Sequence, residues 1–246
     1  MRVELGLAGR VAIVTGASRG LGRASAEALA AEGARLLISS RSAEAISKAA
    51  SEIAASGAEV EAEPADMADP ATAARLVARA LERFGRIDVV VANAGGPPPG
   101  RALEVRDDAL RAAIEQNFLA SARLAREAIP AMRTRGFGRI CCITSYSIVQ
   151  PLPGLALSNA ARTALWAWAK TAAADLATEE PGITLNLVCP GPHATERMRE
   201  LGGAGGSGPM GDPADFGKVV AFLCSEPAAF INGAALVVDG GATLAL

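Results

Sequence analysis

The sequence predicts a doubly wound α/β fold, in which a parallel β-sheet carries helices on both faces. Short runs rich in valine, isoleucine and leucine recur along the chain, as in strands buried on both faces. Amphipathic helical patterns alternate with these runs, which favours strand–helix–strand units. The first run also passes into a helix through a glycine-rich turn. The 246 residues, half of them hydrophobic, suit one α/β domain over residues 1–246.

The remaining elements follow from the same patterns. Apolar, β-branched runs predict further strands, at Arg35–Ser39, Glu59–Pro64, Val89–Ala92, Gly138–Thr144 and Thr184–Val188, with a last one before Asp239. Helical periodicity predicts helices between them, at Ala43–Ser56, Pro70–Phe84 and, as one long element, Asp107–Arg135. No linker, repeat or low-complexity segment divides the chain.

Composition excludes several classes of function. A formal net charge of −2 gives no basis for a nucleic-acid or membrane-surface partner. No apolar run is long enough to span a bilayer, and the first ten residues lack a hydrophobic signal region. We therefore expect a cytoplasmic protein.

The four cysteines indicate buried thiols rather than disulfides or a zinc site. Cys141 and Cys142 are adjacent in a predicted strand and so point to opposite faces, and Cys189 and Cys224 form no CxxC pair. We expect no metal.

The turn after the first strand, Val11–Val14, is the strongest functional signal. Its glycines permit a tight turn and a close backbone approach to a ligand, and the helix that follows runs to about Glu32. A strand, a glycine turn and a helix N-terminus together form an anion site suited to a pyrophosphate, although such glycines also occur in ordinary turns. The candidate residues are Gly16, Ser18, Arg19, Gly20, Leu21 and Gly22.

Ser40 and Arg41 follow the second strand, about 20 residues beyond the turn, where a dinucleotide-binding unit reads the ribose 2′ position. An acid there would accept a hydrogen bond from the 2′-hydroxyl of NAD. Ser40 cannot repel a 2′-phosphate, and Arg41 and Arg19 can pair with one. These residues favour NADP(H) over NAD(H), with two solvated surface charges as the alternative.

TGASRGLG, residues 15–22, closely resembles the cofactor motif of the short-chain dehydrogenase/reductase family, and the resemblance extends over nearly the whole chain. It implies a Rossmann fold with a seven-stranded parallel sheet. It also implies roles for other segments, at the adenine edge (Asp66, Met67), beside the central sheet (Asn93, Ala94, Gly95) and over the nicotinamide (Pro190, Gly191, Thr195). Asp66 could instead only cap the next helix.

The resemblance implies carbonyl reduction or alcohol oxidation by a Tyr acid, a Lys one helical turn later, a Ser and a helix Asn. The Asn corresponds to Asn117 and the Ser to Ser145, but the Tyr and Lys positions hold Ser158 and Arg162. The Lys position implies that Arg162 also binds the nicotinamide ribose. A serine hydroxyl is a far weaker acid than a phenol with a pKa near 10, and arginine stays protonated.

Three explanations are compatible with this change. An NADP(H)-dependent oxidoreductase resembling 3-oxoacyl-acyl-carrier-protein reductases could use another proton source, either Tyr146 or a water ordered by Ser145, Ser158 and Arg162. Tyr146 could instead be an amphipathic residue at a rim or interface. The protein could be a nucleotide-binding pseudoenzyme that acts as a redox sensor or scaffold. Ser158 and Arg162 could also recognise a carboxylate or phosphate of the substrate.

Three further expectations concern the C-terminal part. The segment Glu196–Gly211 is largely glycine, which predicts a mobile lid or an open cleft, suited to a bulky or carrier-tethered carbonyl substrate. The only histidine, His193, lies near the expected site but has no evident Asp partner for a catalytic triad. The resemblance also implies a homotetramer or homodimer, because in relatives the C-terminal elements pack against another subunit.

Overall fold

The computed structural model describes residues 4–200 and 210–245. Within them, seven parallel strands form one sheet in the order β3-β2-β1-β4-β5-β6-β7. The strands are β1 (Val11–Thr15), β2 (Arg35–Ser40), β3 (Val60–Pro64), β4 (Val89–Ala92), β5 (Gly138–Ile143), β6 (Ile183–Pro190) and β7 (Ala235–Val238). The order reverses between β1 and β4, which opens a crevice at the carboxyl ends of those strands.

Helices cover both faces of this sheet, so the predicted fold class is confirmed. They are α1 (Gly20–Ala31), α2 (Ala43–Ala54), α3 (Thr72–Phe84), α4 (Asp107–Ile114), α5 (Ala120–Arg133), α6 (Ala156–Glu179), α7 (Glu196–Glu200) and α8 (Pro213–Leu223). Leu29, Ile46 and Phe216 from α1, α2 and α8 belong to the core on one face. The core on the other face takes Leu76, Leu124 and Leu165 from α3, α5 and α6.

The long predicted helix differs from the structure in its middle. It divides into α4 and α5 around a π-helical turn, Glu115–Leu119, which contains Asn117. A π-turn inserts an extra residue into the helical repeat and rotates the side chains that follow it, and such turns occur frequently at functional sites. Periodicity alone does not reveal the insertion, because the apolar stripe continues on both sides of it.

All four cysteines are free and buried. Cys141 belongs to one core and Cys142 to the other, as expected of neighbours in a strand. The described part of the chain contains no cluster of His, Cys, Asp or Glu side chains that could hold a metal ion. None of the helices in residues 4–200 and 210–245 is long and apolar enough to cross a membrane.

Candidate functional site

A cleft of about 650 Å³ opens at the carboxyl ends of the strands. Its walls come from the turn after β1, the ends of β2, β4, β5 and β6, the start of α6, and α7. Of the residues singled out in the sequence, those that line the cleft are Gly16, Ser18, Arg19, Gly20, Leu21, Ser40, Arg41, Asp66, Met67, Asn93, Ala94, Gly95, Ser145, Tyr146, Ser158, Arg162, Pro190, Gly191, His193 and Thr195. Gly22 and Asn117 are not in this lining.

The glycine turn presents an uncapped helix N-terminus to the cleft. Arg19 is the N-cap residue of α1, yet its side chain makes no cap hydrogen bond, and the first turn of α1 holds no acidic residue. The first N–H groups of a helix have no acceptor within the helix, so those of Gly20 and Leu21 remain available to an anion. This end of the cleft can therefore accept an anionic group.

Gly22 has a packing role in this turn. A Cβ on Gly22 would lie 2.3 Å from the carbonyl oxygen of Gly16 and 2.6 Å from Nδ2 of Asn93. Asn93 donates from Nδ2 to the same Gly16 oxygen at 3.1 Å, and its backbone N–H donates to Thr15 Oγ1 at 2.9 Å. Asn93 therefore ties the end of β4 to the glycine turn.

After the end of β2, the described residues give Arg41 no ion-pair or hydrogen-bond partner, although it lines the wall. Ser40 donates from Oγ to the Ser42 carbonyl at 3.3 Å, and no carboxylate occupies its position. Asp66 accepts a hydrogen bond from the Ala68 N–H at 3.0 Å and so turns the chain, while it also lines the cleft. Its two interpretations, a turn residue and a wall of the site, are compatible.

The helix α7 lies across the mouth of the cleft. Arg19 pairs with both carboxylates of that helix, with Glu196 and, at 3.1 Å, with Glu200. Arg197 of α7 donates from Nη2 to the Pro97 carbonyl at 2.8 Å, in the proline-rich loop on the opposite side. The start of the predicted lid is thus a short helix held at both sides, and residues 201–209 of that lid lie outside the described residues.

Arg162 is the buried cation of the site. Its side chain reaches from α6 to the end of β5, where Nη1 donates to the carbonyls of Ile143 at 3.1 Å and Thr144 at 2.9 Å. The residue is only 7% exposed, and burial lowers its pKa to about 10. Within the described residues no carboxylate forms an ion pair with it, so the guanidinium remains charged at neutral pH without an anionic partner.

Ser158 precedes Arg162 by one helical turn, so both lie on the face of α6 that lines the cleft. Ser145 lies two residues after the end of β5, and its Oγ accepts a hydrogen bond from the Ser147 N–H at 3.1 Å. The Ser145 hydroxyl proton is therefore free to point into the cleft. These three residues put two hydroxyl groups and one fixed cation at the same end of the site.

Tyr146 begins a single 3₁₀ turn after Ser145 and also lines the cleft. Burial, together with the negative charge of Asp239, raises the pKa of its phenol above 10. This is the opposite of the shift that a nearby cation gives to a catalytic tyrosine. Tyr146 is therefore an uncharged hydrogen-bonding group in the neutral range.

Asn117 lies behind the cleft wall. Its Nδ2 donates to the Ala113 carbonyl at 3.3 Å, while Oδ1 is buried and finds no partner in the described residues. The residue before it, Gln116, lines the cleft instead. The sequence analysis did not predict that Gln116 lines the cleft. The signal for it is the π-turn, which is visible in the structure and not in the sequence. An unpartnered buried carbonyl is a position for an ordered water.

His193 has a structural environment. Its Nδ1 lies 3.0 Å from the Gly191 carbonyl, and its ring meets the ring of Phe216 edge-on at 5.1 Å. A side chain at Gly211 would collide with the imidazole. These contacts fix the imidazole by packing, and they include no carboxylate.

Comparison with known proteins identifies relatives over the whole site. A family model described as "Enoyl-(Acyl carrier protein) reductase" matches residues 16–243. Dehydrogenase/reductase SDR family member 4 from Oryctolagus cuniculus is 32% identical over 247 residues, covering 96% of this chain and 94% of that protein. The 3-oxoacyl-(acyl-carrier-protein) reductase of Escherichia coli is 33% identical, covering 95% and 97%.

Solved structures with a similar fold belong to reductases as well. L-sorbose reductase from Gluconobacter frateurii, complexed with NADPH and L-sorbose, superposes with a TM-score of 0.92 at 30% identity, covering 99% of this chain and all of that one. YwfH, an NADPH-dependent reductase involved in bacilysin biosynthesis, has a TM-score of 0.91 at 27% identity, covering 96% and 99%. The chain belongs to the short-chain dehydrogenase/reductase family of oxidoreductases, which use a nicotinamide cofactor.

Proposed function

We propose that this protein is an NADP(H)-dependent reductase of carbonyl compounds, small or carrier-tethered, that takes its proton from water rather than from a tyrosine. The observation that carries the proposal is the cleft itself. It joins an uncapped helix N-terminus and Arg41 at one end to Ser145, Ser158 and Arg162 at the other. A dinucleotide bound along it would bring its nicotinamide to these hydroxyls.

The cofactor preference is supported by the charges near Ser40. Arg41 is exposed beside Ser40 and has no partner within the described residues, so it is available to a 2′-phosphate. One solved relative is complexed with NADPH and another is an NADPH-dependent reductase, which supports this preference. The glycine turn would hold the pyrophosphate, and Asn93 keeps that turn in place.

When bound, the reduced nicotinamide supplies a hydride to the carbonyl carbon, and the carbonyl oxygen takes one proton to give an alcohol and NADP⁺. Ser145 donates a hydrogen bond to that oxygen, because its own Oγ is oriented by the Ser147 N–H. Arg162 stabilises the negative charge that develops there, and the two backbone carbonyls that hold Nη1 keep it in position. Neither residue needs to lose a proton.

The proton comes from a water in the space that a tyrosine side chain would fill at position 158, and the hydroxide that remains takes a proton back from solvent. Ser158 offers a hydroxyl to this water, and the buried guanidinium of Arg162 lowers the pKa of a water beside it. A serine hydroxyl cannot serve as the acid at neutral pH. Tyr146 is disfavoured because its pKa is raised, not lowered.

A second candidate is a nucleotide-binding protein without turnover, acting as a redox sensor or scaffold. The observation that favours it is Ser158, which leaves the site without a phenolic acid. Such a protein would bind the nucleotide at one end of the cleft and would not reduce a carbonyl at the other end.

The test is a fluorescence titration of the purified protein with NADPH and with NADH, followed in the same cuvette by a 3-oxoacyl thioester and other carbonyl compounds. Micromolar NADPH binding with turnover supports the reductase. Tight binding without turnover on any carbonyl supports the sensor. Absence of binding by either nucleotide contradicts both.

A further inference from the structure

We infer that Arg162 and Ser158 form a carboxylate-binding subsite, and that the substrate is a short oxo acid whose free carboxylate lies one or two carbons from the reacting carbonyl. This inference rests on the proposed reductase function and names the substrate class of the same site.

The first argument is the charge balance around Arg162. Removing a cation from water is costly unless an anion or several hydrogen bonds compensate for it. Arg162 is more than nine-tenths buried, and its two hydrogen bonds go to neutral carbonyls, of Ile143 and Thr144. The described part of the chain provides no carboxylate for it. An anion that enters the cleft would supply the missing charge.

The second argument is the geometry of the guanidinium. Both hydrogen bonds to backbone carbonyls use Nη1, which leaves the Nε–Nη2 edge without a described protein partner. That edge carries two parallel N–H groups, the arrangement that grips the two oxygens of a carboxylate. A lysine at this position would offer only a point charge. The replacement of lysine by arginine therefore adds the capacity for a bidentate anion.

The third argument is the neighbourhood. Ser158 lies one turn before Arg162 on the same face of α6 and adds a hydroxyl donor. Thr144, which accepts from Arg162 at 2.9 Å, directly precedes Ser145. The carboxylate subsite and the hydroxyl that polarises the carbonyl line the same cleft and are joined through Thr144, which favours a short spacing between carboxylate and carbonyl. The acidic residues of the cleft wall are engaged elsewhere, since Glu196 and Glu200 are paired with Arg19 and Asp66 accepts a hydrogen bond from the Ala68 N–H.

The experiment measures equilibrium binding, so that it does not depend on turnover. 2-Oxobutanoate and 3-oxobutanoate are titrated by calorimetry against the protein alone and against its NADP⁺ complex, which cannot reduce them. Their methyl esters, which keep the carbonyl and lose the charge, are the matched ligands. The variants are Arg162→Met and Arg162→Lys, and Arg23→Met is a control outside the cleft that removes an arginine paired with Glu27 and Glu52.

We expect at least one acid to bind about 10-fold or more tightly than its ester, because a charged hydrogen-bonded pair is lost in the ester. Arg162→Met should abolish this preference and Arg162→Lys should reduce it, while Arg23→Met leaves it unchanged. Thermal unfolding of each variant checks that it folds, and Arg162→Lys keeps the test valid if Arg162→Met does not.

Equal binding of acid and ester by the unmodified protein overturns the inference, as does tighter binding of a 3-oxoacyl thioester than of either acid. It is also overturned if Arg162→Lys weakens NADP⁺ binding and leaves the acid–ester ratio unchanged, since the guanidinium would then serve the ribose. Failure of NADP⁺ to bind contradicts the proposed function instead, and the titration of the nucleotide-free protein still tests the carboxylate subsite.

Discussion

Ser158 occupies the position where the family resemblance implies a phenolic acid, and its replacement gives a direct test of what limits catalysis. We expect the double variant Ser158→Tyr/Arg162→Lys to reduce a neutral 3-oxoacyl thioester at least about 10-fold faster than the unmodified protein, since a positioned general acid contributes about 10²–10⁴-fold. The measurement is NADPH consumption at saturating cofactor.

Arg162→Lys alone is the control for this variant and should give no gain, because it restores the cation without the acid. If the double variant binds NADPH but is no faster, proton delivery is not the limiting feature of the site and the water mechanism loses its basis.

Tyr146 gives the second test at this scale. Burial and the charge of Asp239 raise the pKa of the Tyr146 phenol, which makes it a weaker acid than an ordinary tyrosine. Tyr146→Phe should therefore change turnover by less than about threefold, well below the effect of losing a general acid. The pH–rate profile from pH 6 to 9 should keep its shape. A loss of 100-fold or more would instead identify Tyr146 as the proton donor.

Individual residues also show where sequence reasoning reaches its limit. The replacement of the expected Tyr and Lys by Ser158 and Arg162 can be predicted from the sequence, because it depends only on spacing from Ser145. The hydrogen-bond partners of Arg162 cannot be predicted from the sequence, since they are backbone carbonyls at the end of another element. Gly22 was expected in the cofactor motif, but its packing against Gly16 emerges only in three dimensions.

Among the elements, α7 connects cofactor binding to the mouth of the cleft. Arg19 is shared by Glu196 and Glu200, so the prediction that Arg19 pairs with a 2′-phosphate implies competition with two carboxylates. We expect Glu196→Gln/Glu200→Gln to tighten NADPH binding by about threefold to 10-fold, in keeping with the small energies of exposed ion pairs. NADH, which has no 2′-phosphate, should bind as before. Fluorescence titrations with the two nucleotides give the ratio.

A suitable control for this pair of substitutions is Glu82→Gln, which removes a carboxylate paired with Arg79 at 2.8 Å on α3, outside the cleft. Weaker NADPH binding in the α7 variant, or an equal gain for NADH, would contradict the competition. The effect should also shrink at high salt, because both partners are exposed.

The junction between β1 and α1 is tightly packed around Gly22. A Cβ at Gly22 would meet the Gly16 carbonyl at 2.3 Å, and backbone atoms cannot move aside cheaply. Gly22→Ala should therefore destabilise the protein by about 1–3 kcal/mol, the usual cost of overpacking. The comparison is Gly95→Ala, whose Cβ would lie 4.0 Å from its nearest neighbour, Gln116 Nε2. Urea unfolding of both variants measures the difference, and equal stabilities would show that the turn is free to relax.

Element types were predictable because strands and helices here carry strong periodicities, and because buried parallel strands have few polar residues. The π-helical turn at Glu115–Leu119, which interrupts the long predicted helix, was not predictable. A π-turn changes the helical repeat without changing the amino-acid composition. The contact between α7 and Arg19 was not predictable from the sequence either. Exposed charges far apart in sequence can pair in many ways, and only the fold selects one of them.

For the molecule as a whole, the expectation of a homodimer or homotetramer stays a prediction, for which we propose one edge of the sheet as the interface. β7 is an edge strand, paired only with β6, and an unpaired strand edge favours association with another chain. The side chain of Phe230, which precedes β7, is fully exposed, and Phe222 and Leu236 are also exposed. Large exposed apolar side chains are typical of protein–protein contacts.

Phe230→Asp would place a charge in that contact, where it would be buried without a partner on association. We expect light scattering after gel filtration to give two or four times the chain mass of 24.9 kDa for the unmodified protein, and a smaller mass for the variant. Leu103→Asp is the control, because Leu103 is just as exposed but lies in the loop before α4, far along the chain from β7. A monomeric unmodified protein would contradict the expected assembly. An oligomer that Phe230→Asp leaves intact would exclude this edge as its interface, and the sheet edge at β7 would then need another explanation for its exposed apolar residues.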